Sequence, residues 1–177
     1  MIALIFDTET SGLIKNHSIR LERQSSIIEF YACLVDLATG ELKSELDLLI
    51  RPPGVLEAKI TKITGLTNEM LAGAPAFCDV AADIKKEIES APVVVAHNLS
   101  FDREMVDLEF ERLGENVEWP RQICTVEQTL HIKGFRLSLG ALHEELFGEK
   151  FVGAHRARVD VAALTRCCVE LHRRGDI

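Results

Sequence analysis

The sequence predicts an α/β fold: one domain over residues 1–177, built on a mixed five-stranded sheet with three antiparallel strands first, parallel strands after them, and helices on the flanks. Three observations carry this. Residues 2–6 are a short, almost wholly apolar run, the pattern of a central strand buried on both faces. Two more strand-like segments follow, joined by a turn that contains Gly40, which makes a hairpin. From residue 80 onward, helical and strand periodicities alternate, as a parallel part of a sheet requires.

In chain order, the first strand stops at Asp7, so the chemistry is expected where the strand ends. Residues 26–36 read as the second strand, and Leu42, Leu46, Leu48 and Ile50 alternate along a third. Pro52, Pro53, Gly54 and Pro75 mark residues 51–75 as a loop-rich crossover with one short helical turn at 69–71. Val80, Ile84 and Ile88 then lie on one face of a helix that ends before Pro92, and residues 93–96 form the next strand. Ser100 is the expected N-cap of a helix over 101–113, which puts Asp102 in its first turn. A short strand at 122–124 and helices at 126–131 and 138–146 lead to a last helix. There Asp160, Leu164, Cys168 and Leu171 share one face.

Composition narrows the class. Hydrophobic residues make up 47% and charged residues 27%, ordinary for a soluble globular chain. No stretch approaches the roughly 20 apolar residues of a membrane span, so no membrane partner is expected. The first residues carry no basic segment or small-residue cleavage site, which points to a cytoplasmic protein. The five cysteines, Cys33, Cys78, Cys124, Cys167 and Cys168, have no metal-ligand or disulfide spacing and read as small buried hydrophobes. A net charge of −8 opposes a broad phosphate-binding surface, although two dications held by four carboxylates would bring it to −4. A short footprint on nucleic acid follows.

Three acidic groupings carry the chemistry. Asp7 and Glu9 are two apart, so a continued strand would project both to one face, where they repel unless a cation lies between them. Hard oxygen ligands suit Mg²⁺ or Mn²⁺, with Thr10 and Gly12 letting the backbone turn close to a phosphate. An isolated pair of this kind more often caps a turn. Asp102 follows a predicted parallel strand, where open sheets place ligand loops, but an acid alone in a helix first turn more often stabilises the helix dipole. Nearby, His97 and Asn98 either hydrogen-bond a ribose or base edge or pack the loop, and Phe101 either stacks a base or packs. His155 stands five residues before Asp160, on a loop containing Gly153, where it can take a proton from a water near the metal held by Asp160. Taken together, four carboxylates for two dications, with a base, match what phosphodiester hydrolysis demands.

Residues 6–13 (Phe-Asp-Thr-Glu-Thr-Ser-Gly-Leu), 97–102 (His-Asn-Leu-Ser-Phe-Asp) and 155–160 (His-Arg-Ala-Arg-Val-Asp) together resemble the DEDDh, or DnaQ-like, 3'→5' exonucleases. Residues 63–70 (Ile-Thr-Gly-Leu-Thr-Asn-Glu-Met) extend the likeness along nearly the whole chain. The resemblance implies an RNase H-like fold, nucleoside monophosphate products and two Mg²⁺ or Mn²⁺ ions. It further implies Asp7, Glu9, Asp102 and Asp160 as metal ligands and His155 as general base. Thr8, Thr10, Gly12, Leu13, Thr64, Asn98, Phe101 and His155 are its implied contacts to the terminal nucleotides. Thr64 precedes Gly65 where many polymerase-associated members carry His, a departure at one such contact.

Two basic segments stand outside these motifs. Lys15, His17, Arg20 and Arg23 form either a strand-guiding flap or a solvated connection, and residues 131–136 offer a second set of cations for phosphate. The chain ends within a few residues of its last helix, so a polymerase or other replication partner is expected on the folded surface rather than through a tail. The expected substrate is single-stranded DNA at its 3' end, in proofreading or repair. Trimming of RNA and a non-catalytic binding module on the same fold are the alternatives.

Overall fold

The computed structural model describes residues 1–16, 18–151 and 155–177. His17 of the first basic segment and Gly153 of the loop before His155 lie outside the described residues. The chain forms β1 (Ile2–Thr10), β2 (Ile27–Asp36), β3 (Glu41–Leu49), α1 (Ala58–Thr64), α2 (Asn68–Ala72), α3 (Phe77–Ser90), β4 (Val93–Ala96) and α4 (Leu99–Arg112). After these come β5 (Arg121–Cys124), α5 (Thr125–Gln128), α6 (Leu130–Lys133), α7 (Leu139–Phe147) and α8 (Ala157–Arg174). The sheet order is β3-β2-β1-β4-β5, with β1, β2 and β3 antiparallel and β4 and β5 parallel to β1. This is the mixed five-stranded sheet the sequence predicts, with the RNase H-like strand order.

β1 is central, and its two faces are packed by different helices. Leu4 and Phe6 lie with Phe30, Ala32, Val94 and Ala96 against Val80, Ile84 and Ile88 of α3 and Met105 and Val106 of α4. Ala3 and Ile5 face the other way, with Tyr31, Cys33, Val93 and Val95 against Ala157, Val161, Leu164 and Cys168 of α8. Burial on both faces explains why residues 3–6 are apolar without alternation.

Several boundaries differ from the sequence expectation. β1 runs on through Asp7 and Glu9 to Thr10, because β2 supplies backbone partners as far as Thr10↔Ile27. α1 forms where only loop is expected. Its Ala-Lys-Ile-Thr-Lys-Ile-Thr sequence has weak helix propensity, but Ile60 packs on the Leu56, Leu66 and Leu71 cluster and Gly65 closes the helix in the left-handed conformation (φ 74°). α4 begins at Leu99, with Asn98 (φ 67°) as its N-cap and Ser100 inside the first turn. The expected helix at 126–131 is two short ones, interrupted where the Thr129 hydroxyl donates back to the Thr125 carbonyl (2.7 Å). Leu42 is exposed, since an irregularity at Leu34/Val35 shifts its register near the open end of β3. Cys78 is also exposed, unlike the other four cysteines.

The larger core depends on aromatic edges. Phe110 is fully buried, and its ring meets Phe77 at 5.4 Å and 86°. Phe110→Ala is expected to cost about 3–5 kcal/mol, read as a lower urea midpoint, and a loss below about 1 kcal/mol would contradict this packing.

Candidate active site

On β1, alternation decides which way each acid points. Ala3, Ile5, Asp7 and Glu9 share the face covered by α8, so apolar packing on that face gives way to carboxylates at residue 7. Asp160, in the first turn of α8, arrives opposite them. One carboxylate oxygen each from Asp7, Glu9 and Asp160 lies within 4.8 Å of the others.

Asp102 comes from the opposite layer. Its Oδ1 accepts from the Thr8 N–H (3.0 Å) and the Thr8 hydroxyl (2.7 Å), and the residue is only 3% exposed. Thr8 points to the α4 face between Asp7 and Glu9, so a single strand residue ties Asp102 to the site. Among the sequence-derived nucleotide contacts, the Thr8 hydroxyl therefore holds a carboxylate.

The electrostatics are those of crowded, desolvated acids. Asp7 is raised well above the usual carboxylate range, first by burial, then by the charges of Asp102, Asp160, Glu9 and Glu29. Burial, with Asp160, Glu29 and Asp102, pushes Glu9 from 4.5 up to about 8, against a lowering by Arg156. Burial also raises Asp102 from 3.8 to about 7 despite its two Thr8 hydrogen bonds, and raises Asp160 against the hydrogen bond from His155. Such a set is unfavourable unless protons or cations neutralise it. The acid-only donors and the close approach of Asp7, Glu9 and Asp160 fit hard divalent cations, and Asp102, whose charge acts on Asp7, is a further carboxylate beside them.

His155 is exposed, and its backbone N–H donates to Asp160 Oδ2 (2.8 Å). Its φ of 71° is unusual for a residue with a side chain, and the hydrogen bond to Asp160 fixes the start of the turn that carries the acid.

Beside the acids lies a cavity of about 700 Å³, into which Glu9 opens and which Thr10, Gly12, Leu13, Thr64 and Phe101 line. Leu13 is 78% exposed, an apolar side chain left standing at a polar site. Gly12 admits Ser25, whose Oγ would lie 3.0 Å from a Cβ at that position. Thr64 is buried, its hydroxyl donating to the Ile60 carbonyl (3.1 Å) and accepting from the Leu66 N–H (3.1 Å). Asn98 stands apart from the cavity lining, with its Oδ1 accepting from Arg136 Nη2 (2.7 Å). His97 is tied into the loop packing: its Nδ1 meets the Thr125 hydroxyl (2.9 Å), its Nε2 meets the Leu137 carbonyl (3.1 Å), and burial pushes it down to about 4.

Lys15, Glu22, Arg23 and Gln24 of the first basic segment form a braced wall of this cavity. Lys15 and Gln24 pair through Lys15 N–H to Oε1 (2.9 Å) and Nε2 to the Lys15 carbonyl (3.3 Å), while Lys15 Nζ donates to the Arg23 carbonyl (2.7 Å). From α4, Arg112 donates to the Leu21, Gln24 and Ser25 carbonyls (3.3, 3.1 and 2.8 Å). Its Nη1 is 2.7 Å from Glu109 Oε2, a charge contact without hydrogen-bond geometry, and Glu109 in turn accepts the Ile27 N–H (2.9 Å). At 131–136, His131, Lys133 and Arg136 already pair with Asp176, Glu145 and Asn98.

Sequence reasoning missed Glu29, Arg156 and Arg112. Glu29 is 1% exposed and faces Glu9 across the β1–β2 pairing. An acid within the otherwise apolar stretch Ile27-Ile28-Glu29-Phe30 is the signal that could have found it, since a buried acid requires a partner.

An exonuclease family, RNase_T, matches residues 4–167. A DNA polymerase III PolC-type chain from Staphylococcus aureus is 30% identical over 162 residues, covering 90% of this chain. The present chain spans about a tenth (10%) of the length of that relative. Among solved structures, exonuclease X in complex with 5' overhanging duplex DNA is 24% identical with a TM-score of 0.71, covering 98% of this chain and 93% of that one. The nuclease domain of 3'hExo, a DEDDh family member bound to rAMP, is 17% identical with a TM-score of 0.79, covering 98% and 92%. These two likenesses concern the fold. Among the described residues, no helix is long and apolar enough to cross a membrane.

The raised acids set a pH dependence. Because the folded state favours the protonated forms of Glu9 and Asp102, it holds more protons than the unfolded chain between about pH 4 and 8, so stability falls as pH rises through that window. In EDTA, Tm is expected to decrease from pH 5 to 8, and added Mg²⁺ or Mn²⁺ to raise Tm most at pH 8, where protons compete least. A Tm in EDTA that rises with pH, with no metal response, would contradict this account of the cluster.

Proposed function

The chain belongs to the RNase_T exonuclease family, and from that premise we propose that it is a DEDDh-type nuclease that removes nucleoside 5'-monophosphates from the 3' ends of single-stranded DNA, with two divalent cations, Mg²⁺ or Mn²⁺, held by Asp7, Glu9, Asp102 and Asp160. The observation that carries this reading is the meeting of Asp7, Glu9 and Asp160 oxygens within 4.8 Å, beside a cavity of nucleotide size. Divalent cations bound there would neutralise the carboxylates, lower the pKa of the attacking water and offset the charge that grows on the scissile phosphate.

The protein's own residues supply the rest. An imidazole nitrogen of His155 takes the proton from the attacking water, and Asp160 holds the backbone of that histidine in place. Thr8 keeps Asp102 aimed with two hydrogen bonds, so the acid needs no reorganisation on binding. Leu13 and Phe101 offer apolar surface to the terminal bases, while the Thr10 and Gly12 backbone, fixed by the Thr10 hydroxyl donating to the Gly12 carbonyl (2.8 Å), lies along the sugar and phosphate. The small cavity and the charge of −8 favour a short footprint on a frayed or single-stranded end. Similarity to part of a polymerase chain supports a place in proofreading or repair, with a polymerase meeting the folded surface.

Single-stranded DNA, RNA and recessed duplex, each labelled at the 5' end, are to be incubated with Mg²⁺, Mn²⁺ or EDTA. A ladder shortening from the 3' end of DNA, dependent on metal, is the expected result. Preference for RNA would replace the substrate, and binding without degradation of any substrate would leave a non-catalytic module instead. In a separate measurement, His155→Ala should lower turnover by about 100-fold or more while Mn²⁺ binding persists. Unchanged turnover would remove His155 from the mechanism.

A further inference from the structure

α8 begins without a cap of its own. Its N-cap is Arg156, whose side chain makes no capping hydrogen bond, yet the Ala157 N–H at the first helical position is fully buried. A buried donor of this kind must find an acceptor. That acceptor is Glu29 on β2, 128 residues away in sequence, whose Oε2 accepts the Ala157 N–H at 2.9 Å. Arg156 grips the same carboxylate, with Nε 3.1 Å from Oε1 and 3.2 Å from Oε2, and Nη2 2.7 Å from Oε1. A negative group at a helix N-terminus is favourable, and a bidentate guanidinium contact fixes orientation as well as charge.

The position of this clamp gives it a consequence for the site. Glu29 stands directly across the pairing from Glu9, on the face covered by α8. Its carboxylate therefore belongs to the acidic end of the sheet, but Arg156 engages both of its oxygens. The helix turn held by Glu29 carries Asp160, whose N–H donates to the Arg156 carbonyl (3.0 Å), and Asp160 in turn accepts from His155. Thus one side chain on β2 fixes where α8 meets β1, and with it the placement of an acid and a base that must sit within a fraction of an ångström of their working positions.

We propose that Glu29 is a positioning residue for hydrolysis: it caps α8 across the sheet and, with Arg156, sets Asp160 and His155 against Asp7 and Glu9. The inference rests on the nuclease reading for its kinetic part and on the clamp geometry alone for its metal-binding part. Arg156 is the other half of the device, and the two residues act as a unit.

The test is a double-mutant cycle with Glu29→Gln, Arg156→Gln and the double variant, each checked for folding by its thermal transition. Gln at 29 keeps one acceptor for the Ala157 N–H but loses the charge and the second oxygen, so the variant retains a route to the folded state. Glu29→Gln is expected to lower kcat on single-stranded DNA by about 10- to 100-fold while KM changes by less than about 2-fold, since the cavity walls are untouched. Mn²⁺ titration by calorimetry, which needs no turnover, should show weaker binding in the folded variant. The double variant should be no worse than the worse single one, the signature of a shared role. A folded Glu29→Gln protein with unchanged Mn²⁺ affinity and unchanged kcat would overturn the proposal, as would fully additive losses. If the wild-type protein degrades no nucleic acid, the nuclease reading fails, and the Mn²⁺ titration still decides the role of Glu29.

Discussion

Mutual repulsion among carboxylates withdrawn from water is the constraint on which this structure turns. Asp7, Glu9 and Asp160 converge within 4.8 Å, with Asp102 close behind, and burial raises all four. Folding into this arrangement is opposed by the site itself. The rest of the fold must supply the compensation, through a sheet buried on both faces and helices that hold each acid from outside the cluster.

The division of labour between the two faces of β1 follows from that demand. On the α8 face, apolar residues 3 and 5 anchor the helix whose next turn delivers Asp160, so packing and ligand placement use one interface. On the α4 face, Phe6 packs in the core and Thr8, two residues on, receives Asp102. A strand with period two thus gathers acids from the two helix layers on its opposite faces. Glu29 extends the same logic to the neighbouring strand, where it meets an arginine and a helix N-terminus instead of adding an uncompensated charge.

The cavity beside the acids is supported by a second arginine. Arg112 and Glu109, one turn apart near the end of α4, satisfy backbone groups from Leu21 to Ile27 and so hold the wall that carries Leu13 and Ser25. The helix that places Asp102 at one end therefore braces the cavity at the other, which couples the acids to the cavity wall through a rigid element.

The residues alone determined a good deal. Local periodicity named the five strands, the long helices and their order, because burial on one or two faces leaves its mark on neighbouring positions. Spacing also marked Asp7 and Glu9 as a same-face pair, and Asp160 as the head of an apolar helix face. What the tertiary structure decided are the matters that depend on partners distant in sequence. Strand β1 continued past Asp7 because β2 was there to pair with it, and α1 formed against a weak propensity because Ile60 had a core to enter. Thr8 turned to Asp102 across 94 residues, His97 to Thr125 and Leu137, and Glu29 to Arg156 across 127. No local pattern encodes such pairings, since a buried polar side chain announces that it needs a partner without saying which one the fold will bring.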